Sequence, residues 1–115
     1  FDLIAQVSEA HDLIGYYVFC LQTNMAGRDA NTRMFAPRYG IKEEAGTGMA
    51  AGPLACYLYD TLNLKKNQLL VEQGWFMEHP SPSLITVDLL LDNNMITNVM
   101  AGGRGMHLRT ITMSI

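Results

Sequence analysis

"KEEAGTGMAAGPLACYLYD", Lys42 to Asp60, is the stretch on which the reading of the whole chain turns. From Met49 to Leu62 the residues are apolar almost all round, and Tyr57, Tyr59 and Asp60 carry the few polar atoms. A helix without a polar face belongs inside a domain rather than on its surface, so this segment is expected at the centre of the core. Thr47 stands where an N-cap is wanted, and Gly46 and Gly48 remove side chains that would hold a ligand away from the backbone. The amides of Gly48, Met49 and Ala50 would then point out of the helix start, where the positive end of the macrodipole suits a carboxylate or a phosphate. On pattern alone a plainer reading comes first: every buried helix has an N-terminus, and small residues let it pack.

The two carboxylates just upstream also admit two readings. Glu43 and Glu44 favour the dipole of the helix that follows and are accounted for as a solvated acidic loop. In a closed cleft, burial and a neighbouring charge would tune one of them for proton transfer. Pro53 lacks an amide and leaves the Met49 carbonyl without its helical partner, so an irregular first turn there would widen an anion cradle.

Outward from this core, Leu3, Ile4, Val7, Ala10 and Ile14 recur at helical spacing, which predicts an amphipathic surface helix ended by a left-handed cap at Gly15. Tyr16 to Gln22 is a continuous aromatic and β-branched run that predicts a strand covered on both faces. Thr32 to Pro37 reads as a second strand, closed by a proline that cannot donate to a ladder. After Leu62 come short β-like segments, "QLLVEQ", "SLITVDLLL", "MITNVMA" and "MHLRTITMSI", with the clearest hairpin turn at Asp92-Asn93-Asn94. One helix, two strands, a buried helix and an antiparallel run make an α+β domain.

Composition narrows the function. The chain has 115 residues, one domain by length, able to bury roughly two thirds of its unfolded surface. Apolar residues are 49% and charged residues 17%, a low charge fraction that leaves apolar surface for a partner. Net charge is -3 and the eight basic residues are scattered, so nucleic acid is not an expected partner. No apolar run is long enough to span a membrane, which makes a cytoplasmic location the default. Cys20 and Cys56 sit in apolar runs and read as reduced core thiols, and no Cys/His spacing suggests a metal. His11, His79 and His107 read as structural or solvated. "AGGRGM", Ala101 to Met106, lacks the ending of a P-loop and reads as a bulge or turn.

In order, "RMFAPRYGIKEEAGTGMAAGPLACYLYD" (Arg33 to Asp60), "LLVEQGWFMEHPSPSLITVDL" (Leu69 to Leu89) and "NVMAGGRGMHL" (Asn98 to Leu108) resemble the C-terminal half of the PhzF-like isomerase family. The family run is similar to F-A-P-x-x-G-I-x-E-D-P-A-T-G-S-A-x-G-P-L, followed by E-Q-G and R-P-S. The resemblance implies a diaminopimelate epimerase-like fold of two similar halves, each a curved, mostly antiparallel sheet wrapped around a central buried helix, with the active site between them. It further implies that Thr47, Gly48, Met49 and Ala50 bind a substrate carboxylate through backbone amides. Glu44 stands where the family has Asp, Ala45 and Gly46 replace Pro-Ala, Met49 replaces Ser, and His79 replaces the arginine of R-P-S. A cradle of amides survives such changes, because an amide is present whatever the side chain.

The expectation is therefore residues 1–115 as a single domain, like the C-terminal domain of a two-domain PhzF-like protein. It would supply the cradle (Thr47, Gly48, Met49, Ala50) and a catalytic carboxylate (Glu44) for cofactor-free, metal-free isomerisation of a small carboxylate-bearing metabolite. By the same resemblance the general acid/base glutamate lies in the N-terminal half, so that half is an expected partner and the chain alone is expected to be inactive. A homodimer or larger assembly is expected as well, through an unpaired terminal strand or the cleft face. The alternative is a non-catalytic binding or dimerisation module derived from the same fold.

Overall fold

A computed structural model describes residues 1–115 and is α+β: two helices and a six-stranded sheet that curls into a half-barrel. The elements run α1 (Asp2–Ala10), β1 (Tyr16–Cys20), β2 (Ala30–Ala36), a short 3-10 turn (Pro37–Tyr39), β3 (Ile41–Glu44), α2 (Gly48–Asp60), β4 (Gln68–Gln73), β5 (Ser83–Asp92) and β6 (Met95–Gly102). Strand order is β1-β2-β4-β5-β6, with β3 paired to β2. Every pairing is antiparallel except β2 with β4, where Ala30, Asn31 and Thr32 face Val71, Glu72 and Gln73. None of the helices is long and apolar enough to cross a membrane.

Alternation along the strands explains the two sides of this sheet. Ala30 of β2, Leu69 and Val71 of β4, and Ile85, Val87 and Leu89 of β5 point at α2, which answers with Ala51, Leu54, Ala55, Leu58 and Tyr59. Burying an aliphatic side chain of this size contributes about 1.5–3 kcal/mol. Gly52 lets α2 approach β6, since a Cβ there would lie 3.2 Å from Val99 Cγ1. The opposite face of α2 is open: Met49 is 90% exposed, and Pro53 and Tyr57 also meet solvent. The helix is thus buried on one side rather than all round, because the sheet stops at β1, where Phe19 packs edge-on to Tyr57.

Four other local expectations are corrected. Gly15 is not the cap of α1: the helix ends at Ala10, Asp12 carries the positive φ, and Arg38 binds the Leu13 carbonyl oxygen at 3.0 Å and the carboxylates of Glu9 and Asp12. Glycine is needed at position 15 for close approach, since a Cβ would fall 2.2 Å from the Phe35 carbonyl oxygen. β1 is an edge strand whose Tyr16, Val18 and Cys20 are exposed, so Cys20 is a surface thiol rather than a core one. Ile41 to Glu44 forms a strand that charge-rich "IKEE" did not announce. Finally, Met106 to Ile115 forms no strand and is exposed throughout.

Candidate functional site

Strands β3 and β4 share one edge of β2. β4 takes Ala30 to Thr32 and β3 takes Met34 and Ala36, so the two diverge where α2 begins. Being in a strand, Glu43 and Glu44 point to opposite faces. Glu43 turns away from α2 and accepts from two of the three guanidinium nitrogens of Arg33, Nε at 2.8 Å and Nη2 at 2.9 Å, while the Arg33 guanidinium lies over the Phe35 ring. Its charge is matched and its role is to fix β3 on β2. Glu44 turns inward, toward the start of α2, where its carboxylate borders a cleft.

That cleft has a volume of about 570 Å³ and apolar walls from Ile14, Met34, Tyr39 and Ile41. At its polar end stand Tyr17, Glu44 and Thr47, beside Met49 and Ala50. Thr47 occupies the N-cap position of α2, yet its side chain makes no capping bond. Its carbonyl accepts from Ala50 at 3.3 Å and Ala51 at 3.0 Å. The amides of Gly48 and Met49 bond to nothing in the chain. Thr47, Met49 and Ala50 line the cleft with Glu44; the amides of Ala50 and Thr47 are taken up within the chain, by the Thr47 carbonyl and by Gln73, so of the expected cradle only the amides of Gly48 and Met49 are left free, and Met49 contributes backbone while its side chain lies in solvent.

Gln73 organises this end of the cleft, and the reading from sequence missed it. It is fully buried and makes four hydrogen bonds. Its Oε1 accepts from the Thr47 amide at 3.0 Å and the Tyr17 hydroxyl at 3.1 Å. Its Nε2 donates to the Glu44 carbonyl at 2.7 Å and to Thr47 Oγ1 at 2.9 Å. A backbone amide can only donate and a carbonyl only accept, so the orientation of the Gln73 amide is unambiguous. With Oγ1 accepting from Gln73, the Thr47 hydroxyl gives its own proton to the Glu44 Oε2 it touches. Glu44 Oε1 has no partner in the chain. Tyr17 completes the network: the Thr32 hydroxyl shares its one proton between the Tyr17 oxygen at 3.1 Å and the Glu72 carbonyl at 2.7 Å. Burial raises the Tyr17 phenol above its ordinary value; the Thr32 hydrogen bond opposes this and the Glu44 charge adds to it.

The neighbours of Gln73 hold the loops around the site. Glu72, also fully buried, accepts from the amides of Asn24 and Met25, each at 2.8 Å, and pairs with Arg28, which anchors the loop between β1 and β2. Gly74 has φ of +84°, and Ser83 donates to the Ala45 carbonyl, joining the segment before α2 to β5. A signal for Gln73 was present in the sequence: Leu69, Val71 and Gln73 share one face of β4, so a polar residue ends an apolar stripe at the helix start. No three His, Cys, Asp or Glu side chains gather in a way that would hold a metal ion.

A family model described as phenazine biosynthesis-like protein matches residues 1–110. A trans-2,3-dihydro-3-hydroxyanthranilate isomerase of Pseudomonas chlororaphis is 38% identical over 81 residues, covering 70% of this chain and 28% of that protein. The protein of the same name from Pseudomonas aeruginosa is 61% identical over 33 residues, 29% of this chain and 12% of its own length. An uncharacterized isomerase of Clostridium acetobutylicum is 40% identical over 58 residues, covering 50% of this chain and 19% of that protein. The chain thus spans less than a third of the length of each of these curated relatives.

Proposed function

The chain belongs to the phenazine biosynthesis-like protein family, and from that premise we infer that it forms one part of an isomerase acting on a small carboxylate-bearing metabolite. In this reading the free amides of Gly48 and Met49 bind the substrate carboxylate, helped by the α2 dipole. Glu44 exchanges a proton with a substrate carbon close to that carboxylate: its unpartnered Oε1 takes the proton, and the Thr47 hydroxyl stabilises the remaining oxygen. The apolar walls exclude water and accept the rest of a small ring or chain. A second acid/base comes from another part of the polypeptide, the N-terminal half, closing the cleft from the other side. No cofactor enters the scheme, because a proton is the only thing moved.

One observation carries this reading: two backbone amides left free at a helix start, next to an inward carboxylate with one oxygen unpartnered. The exposed Met49 side chain, where the family has serine, favours the second reading of a binding module that has lost the chemistry. Crystals of the protein grown with benzoate test the first step. The benzoate oxygens are expected about 3 Å from the Gly48 and Met49 nitrogens. Amides bonded instead to the chain's own carbonyls, or benzoate bound elsewhere, would remove the cradle.

A further inference from the structure

We propose that Gln73 is a positioning residue that holds the Thr47 hydroxyl away from the α2 amides and turned onto Glu44, so that the helix start stays open for a ligand. The ligand clause rests on the reading of the cleft as a carboxylate site; the placing of Thr47 does not. A threonine at an N-cap normally accepts a hydrogen bond from the second or third helical amide, here Met49 or Ala50. Thr47 makes neither bond. The reason lies in Gln73, which takes the Thr47 amide on Oε1 and the Thr47 hydroxyl oxygen on Nε2. Both ends of Thr47 are thereby gripped by one buried side chain. The same Nε2 binds the Glu44 carbonyl, so Glu44 and Thr47 are set relative to each other by a single planar group. Tyr17 buttresses that group from the other side through Oε1.

A role confined to stitching β3 and β4 together would need only the bonds to the Glu44 carbonyl and the Thr47 amide. The bond to Thr47 Oγ1 is the one that bears on the ligand, because it decides whether the hydroxyl caps the helix or serves Glu44. Substitution separates the two roles. In Gln73→Met the released hydroxyl should cap α2, and hydrogen exchange of the Met49 amide, which is free in the wild type, followed by NMR on the full protein without ligand, should slow about fivefold. Adding Thr47→Val to Gln73→Met should restore the fast exchange, since nothing remains to cap the helix. Unchanged exchange in Gln73→Met, or slow exchange persisting in the double variant, would overturn the proposal.

Should Gln73→Met not fold, Gln73→Glu gives a second route. An acceptor-only side chain keeps the Thr47 amide bonded but draws the hydroxyl proton to position 73, and a crystal structure should show Glu44 released from Thr47. Glu44 still bonded to Thr47 in that variant would overturn the proposal. A benzoate titration of the wild-type protein is read separately. Absent shifts at Gly48 and Met49, together with the exchange pattern above, would remove the carboxylate site and leave the positioning of Thr47 established. Bound benzoate with exchange indifferent to Gln73→Met would do the reverse.

Discussion

Glu43 and Glu44 are chemically alike and adjacent, yet a one-residue step along β3 sends one to Arg33 on the face turned away from α2 and the other to the cleft. The alternation of a strand, not any property of the side chains, makes only one of them available for chemistry. Gly74 shows the opposite case, where a residue type is required by geometry. Its φ is +84° and an added Cβ would lie 2.1 Å from the Ser81 carbonyl oxygen, against backbone that cannot give way. Gly74→Ala should cost about 3 kcal/mol, read from the urea midpoint; a shift near zero would mean that the turn can be rebuilt. Tyr17 sets a pH dependence. Its folded-state pKa is raised above the ordinary 10.0, chiefly by burial, so the folded chain holds that proton more tightly than the unfolded one. The stability this contributes is whole below pH 10.0 and is lost as pH rises through the folded value. Urea denaturation above pH 10.0 should therefore show the wild type losing stability more steeply than Tyr17→Phe.

At the scale of elements, what was legible in the sequence is what local chemistry decides. The hairpin turn Asn93-Asn94 has φ of 50° and 63°, the left-handed pair that a two-residue connection between twisted strands demands. Asn94→Val should cost about 1–2 kcal/mol for that reason, and Asn94→Gly should not. Thermal midpoints of the two variants check this, and equal shifts would show that the turn does not depend on residue type. The α2 segment and the β4 strand were readable from apolar pattern, and Thr47 from its place before the run. β3 was not, because Lys42, Glu43 and Glu44 have little strand preference of their own; the pairing with β2 and the bidentate Arg33–Glu43 contact make the strand. Cys20 was misread because a run of strand formers looks the same at an edge as in a sheet interior. Gln73 was overlooked because its partners, Tyr17, Glu44 and Thr47, lie 26 or more residues away in sequence.

The molecule as a whole has surface that a folded domain usually covers. β1 and β6 end the sheet with open edges, and beyond Gly102 the segment to Ile115 exposes Met106, Leu108, Ile111, Met113 and Ile115. Open edges and a chain of exposed apolar residues are templates for pairing. We expect the 115-residue chain to form a dimer or larger assembly, to be seen by sedimentation equilibrium at low micromolar concentration and weakened by truncation after Met106. A monomer, or a dimer indifferent to the truncation, would count against pairing through this segment. The cleft brings Glu44 beside the free Met49 amide, and the reaction proposed above draws its second acid/base from elsewhere in the polypeptide.

The central claim is that Glu44 moves a proton next to a carboxylate held by backbone amides. Its most direct test is solvent deuterium incorporation into trans-2,3-dihydro-3-hydroxyanthranilate and small α-amino acids by the full-length protein, compared with Glu44→Gln and Met49→Ala. Loss of a general acid/base costs about a hundredfold or more in turnover. Glu44→Gln should therefore abolish most of the exchange while leaving substrate affinity within about threefold, and Met49→Ala, which keeps its amide, should change neither. Exchange undiminished in Glu44→Gln, equal losses in the two variants, or no exchange by the wild-type protein with any of these substrates would contradict it.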